Sequence, residues 1–219
     1  MSKIVSIAGP KHSWKRTIAL LVAKKLGYRL FDRALLYRAA VIICRQENIF
    51  ADEVDRVNRF LPYAVGRIDV QEGNVFIDGH NAMARISPPR INSATKRMMK
   101  NQQVAYVLAD LQKKFAENTP GLVAYWDGHI QCVFDEPKLR VFLDRNVQAR
   151  AEYFHAYLIR SRIHRPFPQV LEELKLSDCQ YRELGYYPDV SPPGVHRLNC
   201  NGITIDAIVE KIVALVRST

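Results

Sequence analysis

Residues Gly9 to Thr17 read GPKHSWKRT, and they stand between a short β-branched run, Ile4–Ala8 (IVSIA), and apolar residues at helical spacing, Ile18, Leu21, Val22 and Leu26. An apolar run stopped by Gly-Pro predicts a buried strand ending in a turn. The periodicity after it predicts a helix from Trp14 to Leu26, closed by Gly27 as a left-handed cap. In α/β proteins a turn of this kind holds phosphate, because backbone N–H groups and the helix dipole converge there. Against the pattern G-x-x-x-x-G-K-[ST] the stretch keeps Gly9 and Lys15 but has Trp14 for the second glycine and Arg16 for the hydroxyl residue. Glycine admits backbone angles and close phosphate approach that an indole hinders, and Arg16 cannot ligate magnesium. Thr17 brings a hydroxyl one residue later, about 100° further around the helix. Gly9, His12, Lys15, Arg16 and Thr17 are therefore the candidate phosphate ligands, with Thr17 a candidate magnesium ligand. The alternative is a solvated basic turn with Trp14 packed against a neighbour.

Working outward, Tyr28 to Phe31 predicts a second strand, and Asp32 can cap a helix through Leu35, Leu36, Ala39, Val41 and Ile42. Residues about 50–103 read as an insertion carried by the main sheet. It holds a polar helix near Asp52–Phe60, a hairpin whose alternating arms flank Gly73-Asn74, and an end at Pro88-Pro89. One long amphipathic helix is expected from about Ser93 to Ala116. Gly121 to Trp126 and Leu139 to Leu143 are continuous apolar runs suited to a parallel sheet covered on both faces. Arginine-rich helices follow, from Val147 and then from Phe167 to Leu174, with a last strand near Val195–Leu198 and an amphipathic helix to the end. The expected organisation is one domain, with residues 1–45 and 104–219 as core and a lid at about 147–182.

The chain has 219 residues, 48% of them hydrophobic, which suits a domain with one substantial core. Lys and Arg number 32 against 22 Asp and Glu, a formal charge of +10, so anionic partners are expected. Four dispersed cysteines, Cys44, Cys132, Cys179 and Cys200, form no C-x-x-C pair, which argues against zinc or a disulfide framework and for a reducing cytosol. The opening carries no leader-like segment and no later apolar run approaches about 18 residues, so a cytoplasmic location without membrane contact is expected.

Several stretches together resemble the cytidylate kinase family of P-loop nucleoside monophosphate kinases. They are IVSIAGP, KKLGYRLFD, DRALLYR against the family's D-[ST]-G-x-x-Y-R, EGNVFIDG with NAMARISPP, LADLQKKFAENTPGLVA, LRVFL and NGITIDAIVEKIVALV. The resemblance implies a three-layer α/β/α P-loop NTPase fold with a central parallel sheet, a monophosphate-binding insertion and an arginine-rich lid. It also implies transfer of the γ-phosphate of Mg-ATP to CMP or dCMP, largely by positioning and charge neutralisation.

Carried over by position, Lys15 stands at the P-loop lysine and Arg150 at the first arginine before the lid, both catalytic candidates. Arg160 and Arg162 are lid arginines for ATP phosphates. Asp32, Arg33, Arg38 and Asp178 fall in the monophosphate-site motifs, although Arg33 and Ala34 replace that motif's small hydroxyl residue and glycine. Ala105 stands where the family has a phosphate-gripping arginine. The family's G-R-D-I-G-T appears as Trp126-Asp127-Gly128-His129-Ile130-Gln131, in which a one-residue shift makes Asp127 a candidate catalytic carboxylate and magnesium ligand. Its R-D-x-x-D-x-x-R maps onto Ser177 to Leu184, where only Asp178 survives and Tyr181 and Leu184 replace the cytosine readers.

With the core intact and the pocket altered, the expectation is a pseudokinase. It would have weak or absent transfer from ATP to CMP, would still bind a nucleotide or other anion, and would leave room for a protein partner. An active, divergent nucleoside monophosphate kinase is the alternative, resting on Lys15, Arg38 and the lid arginines. A nucleic-acid-binding module is the second alternative, resting on the charge and on the clusters Lys96–Lys100 and Ile159–Arg165.

Overall fold

The computed structural model describes residues 3–71, 74–86, 89–125, 137–183, 187 and 193–218. Along the chain run β1 (Ile4–Ala8), α1 (Lys15–Leu26), β2 (Arg29–Asp32), α2 (Arg33–Gln46), α3 (Val54–Ala64), β3 (Ile68–Gln71), β4 (Asn74–Ile77) and β5 (His80–Asn81). Then follow α4 (Met83–Ile86), α5 (Pro89–Lys100), α6 (Gln102–Glu117), β6 (Leu122–Tyr125), β7 (Leu139–Asp144), α7 (Val147–Arg160), α8 (Phe167–Glu183), β8 (Val195–Asn199) and α9 (Ile205–Ser218). The chain forms two compact units, one of residues 1–28 with 121–219, the other of residues 29–120.

In the first unit four strands run parallel in the order β6-β1-β7-β8. The apolar runs explain this arrangement: Val5, Ile7, Leu122, Val123, Val141 and Leu143 are all buried, as strands covered on both faces require. Helices α1 and α9 pack on one another, and α7 and α8 close around Ala151, Leu158, Val170 and Leu174. Helix α1 ends as expected at Gly27, whose φ of 66° lets its N–H reach the carbonyls of Ala23 and Lys24. Helix α8 runs on to Glu183, well past the expected end at Leu174, because Ser177 and Asp178 are buried and continue its inner face.

In the second unit α2 packs on α3, α4, α5 and β4, and β3-β4-β5 form an antiparallel sheet. This unit reaches beyond residues 50–103 on both sides, taking in α2 and α6. Asp32 caps α2 by accepting from the Ala34 N–H at 3.0 Å. The hairpin forms with Gln71 opposite Asn74, so Asn74 belongs to the strand, and the connection at 72–73 lies outside the described residues. Pro89 opens α5 instead of closing the region, a position where its missing N–H costs nothing. The single helix expected from Ser93 to Ala116 is two helices. Asn101 breaks it by turning its side chain onto the N–H groups of Gln103 (3.0 Å) and Val104 (3.4 Å) and donating to Asn58. No helix among the described residues is long and apolar enough to cross a membrane.

Candidate functional site

The phosphate-loop stretch follows β1 in the first unit. Gly9 has φ 155°, and a Cβ there would lie 2.8 Å from the Leu143 carbonyl oxygen and 3.0 Å from Ser13 Oγ. The loop is thus pressed against the neighbouring strand where only glycine fits. The Pro10 carbonyl then accepts from the Ser13 N–H at 3.3 Å and from Lys15 Nζ at 2.5 Å. Lys15 begins α1 and is buried.

His12 and Trp14 both adopt left-handed backbone angles, φ 61° and 65°, which glycine would take without strain. Each is held by side-chain contacts. The His12 ring stacks on Phe154 at 3.9 Å and 14°; the Trp14 ring lies under the Arg145 guanidinium at 3.3 Å, with Tyr153 edge-on at 5.9 Å. Arg145 also donates from Nη1 to the His12 carbonyl at 3.4 Å, and burial pushes its pKa below the ordinary arginine value. Ser13 Oγ and Trp14 Nε1 are buried without a hydrogen-bond partner among the described residues.

A second clamp comes from Arg150, 2% exposed. It donates from Nε to the Arg145 carbonyl (2.9 Å) and from Nη1 to the Lys11 carbonyl (3.1 Å). The same Nη1 reaches Asp178 Oδ1 at 3.2 Å, and Nη2 donates to Asp178 Oδ2. Helices α7 and α8 are therefore tied to the loop backbone through one buried ion pair.

The sequence-derived candidates divide as follows. Gly9, His12, Lys15, Arg150 and Asp178 come together around the loop. Asp178, expected beside the acceptor nucleoside, here holds Arg150. Arg16 and Thr17 are exposed. Arg160 and Arg162 are exposed at the α7–α8 connection; Arg160 is ten residues along α7 from Arg150, about 15 Å of helix. Asp32, Arg33 and Arg38 lie in the second unit. Arg33 donates from Nη2 to Tyr37 Oη at 2.7 Å, and Arg38 donates from Nη1 to the Ile86 carbonyl at 3.3 Å, its buried Nε without a partner among the described residues. Asp127 and His129 lie outside the described residues.

Among the described residues no group of three or more His, Cys, Asp or Glu is placed to hold a metal ion. Arg16 brings a positive charge where the P-loop pattern has a hydroxyl, so the described loop does not provide a magnesium seat of the kind that pattern implies. Arg145, Tyr153 and Phe154 were not sequence candidates. The available signal was position: Arg145 directly follows the carboxyl end of a core strand, where ligands of open α/β sheets bind.

The family model described as cytidylate kinase matches residues 5–218. A cytidylate kinase of Polynucleobacter necessarius subsp. necessarius is 26% identical over 210 residues, 96% of each chain. One of Paraburkholderia phymatum is 28% identical over 217 residues, 98% of this chain and 93% of the relative. Among solved structures, an uncharacterized protein from Eubacterium ventriosum aligns over 100% of both chains with a TM-score of 0.52 at 12% identity. A gluconokinase from Sinorhizobium meliloti aligns over 99% of this chain and 93% of its own, with a TM-score of 0.50 at 12% identity. At such identity these two structures bear on the fold alone.

Proposed function

The chain belongs to the cytidylate kinase family, and from that premise we propose that it binds a nucleotide or related anion at the phosphate loop while transferring phosphoryl groups from ATP to CMP weakly or not at all. The observation that carries this reading is Trp14. It stands in the left-handed position of the loop's second glycine, its ring covered by Arg145. The loop path survives, with Gly9 packed on Leu143, Lys15 buried at the start of α1, and Ser13 Oγ and Trp14 Nε1 as buried polar groups. These features favour an anion. Phosphoryl transfer asks for more: a metal seat beside the lysine and mobile cations that gather on the transferred group. Here Arg16 replaces the hydroxyl ligand, and Arg150 is bonded to Asp178 and the loop backbone.

In this reading Lys15 meets the phosphates of the bound nucleotide, and Asp178 acts by positioning Arg150. An active kinase with a rearranged acceptor site is the second reading. It is favoured by Arg38, whose Nε has no partner among the described residues, as a phosphate-gripping arginine awaiting its ligand would have. Thermal unfolding with ATP, with and without magnesium, followed by labelled-phosphate transfer to a panel of nucleoside monophosphates, separates the two. The proposal expects a rise in Tm with ATP that does not depend on magnesium, and no CMP- or dCMP-dependent transfer above background. Turnover with either acceptor overturns it.

A further inference from the structure

A cleft of about 480 Å³ opens in the first unit beside the phosphate loop; Pro10 is the loop's contribution to its wall, and Lys15, Arg16 and Thr17 do not line it. Phe142 and Tyr187, T-shaped at 6.0 Å, give it an apolar surface. From α8 it takes Lys175, Asp178, Cys179 and Arg182, which recur at the spacing of one helix face. Asn146 and Val147 bring in the amino end of α7, with its positive dipole.

The charges on this wall are unevenly matched. Its two carboxylates are already held by arginines: Asp178 by Arg150, and Asp144 by Arg197, which donates from Nε at 2.9 Å. Arg145 has no such match. It is 9% exposed and uses one of its five donors on the His12 carbonyl at 3.4 Å; the charge of Glu152 acts on it, but among the described residues no carboxylate forms a salt bridge with it. A buried guanidinium without a directly paired carboxylate is costly, and an anion entering the cleft would offset that cost. Lys175, paired with Glu172 at 3.5 Å, and Arg182 are both exposed and line the same opening, where their cationic ends are within reach of an entering anion. The volume exceeds that of a lone phosphate, which leaves room for a non-polar body against Phe142 and Tyr187.

We infer that this cleft is a second anion site, separate from the phosphate loop, which takes a small phosphate-bearing molecule with Arg145 as its buried counter-charge. Because Arg145 also covers Trp14 and bonds His12, occupancy of the cleft bears directly on the loop's conformation.

The exposed, free thiol of Cys179 on the cleft wall provides a native reporter. The experiment is the rate of iodoacetamide alkylation at Cys179, followed by peptide mass, in pyrophosphate against sodium chloride of equal ionic strength. Native protein and Lys15→Ala should both show saturable slowing, about fivefold when pyrophosphate is at four times its Kd. The slowing should vanish in the Lys175→Ala/Arg182→Ala double variant, whose side chains are exposed, and in Arg145→Gln, with far-UV circular dichroism confirming that each is folded. Absence of slowing in the native protein overturns the inference. So does slowing that disappears in Lys15→Ala and persists in the double variant, since that would place the anion on the loop.

Discussion

Replacing Trp14 with glycine separates what the loop's path costs from what its side chain contributes. The left-handed backbone at φ 65° costs a non-glycine residue about 1 kcal/mol, which glycine would recover. Against this stands the loss of the Arg145 guanidinium at 3.3 Å over the indole, worth about 2 kcal/mol in a desolvated setting. The edge contact with Tyr153 at 5.9 Å adds about 1 kcal/mol. The net expectation is a loss of about 2 kcal/mol, or a fall in Tm of roughly 4 to 8 °C for a chain of this size. Affinity for ATP should move the other way, because removing the indole opens the loop's N–H groups to phosphate. Urea denaturation and isothermal titration with ATP measure the two effects on the same preparation. A variant as stable as the native protein would refute the argument that the Arg145 stack holds Trp14 in place. Unchanged ATP affinity would refute the argument that the indole obstructs the cradle.

Two further outcomes follow from buried groups. Asp178→Ala strips Arg150 of its counter-charge in a 2% exposed setting and should cost about 3 to 5 kcal/mol in a denaturant titration, whereas Arg150→Met/Asp178→Leu should recover much of that loss; equal costs for the single and double variants would remove the ion pair from the explanation. Burial pushes the thiols of Cys44 and Cys200 up from 9.0 to about 11, so between those values the unfolded chain loses protons that the native chain keeps. Their share of stability is present below pH 9 and is lost as pH rises towards 11, with a slope of up to about 1.4 kcal/mol per pH unit for each thiol. Urea melts at pH 8.5, 9.5 and 10.5 should show a shallower decline in Cys44→Ala/Cys200→Ala than in the native protein, and equal slopes would contradict the assignment.

The framework was legible in the sequence wherever a local pattern met a local cause. IVSIA stopped by Gly9-Pro10, the helical spacing to Gly27, and Asp32 ahead of its helix each carry their own signal, and each element starts within a residue of its expected beginning, although the helix after Asp32 runs on to Gln46. The break at Asn101 was hidden because apolar spacing continues across it. What ends α5 and starts α6 is one side chain's preference for capping over staying in a helix. The pairing of Arg150 with Asp178 joins residues 28 apart through tertiary packing alone, so motif position could assign each a role but not the contact between them.

The altered loop residues make sense together once geometry is considered. Gly9 fixes where the chain leaves β1, since a Cβ there would strike the Leu143 carbonyl, and Lys15 bonded to Pro10 fixes where the helix begins. Between those fixed points the path takes left-handed angles at positions 12 and 14. A histidine and a tryptophan are held there because α7 supplies Phe154 to one, and Arg145 at the end of β7, with Tyr153 of α7, to the other. Arg145 is then drawn into a buried position where no carboxylate among the described residues forms a salt bridge with it. The same contact that stabilises an unusual phosphate loop thereby places a guanidinium without a salt bridge in the wall of the neighbouring cleft, so a ligand there and a ligand on the loop would compete for, or share, one guanidinium.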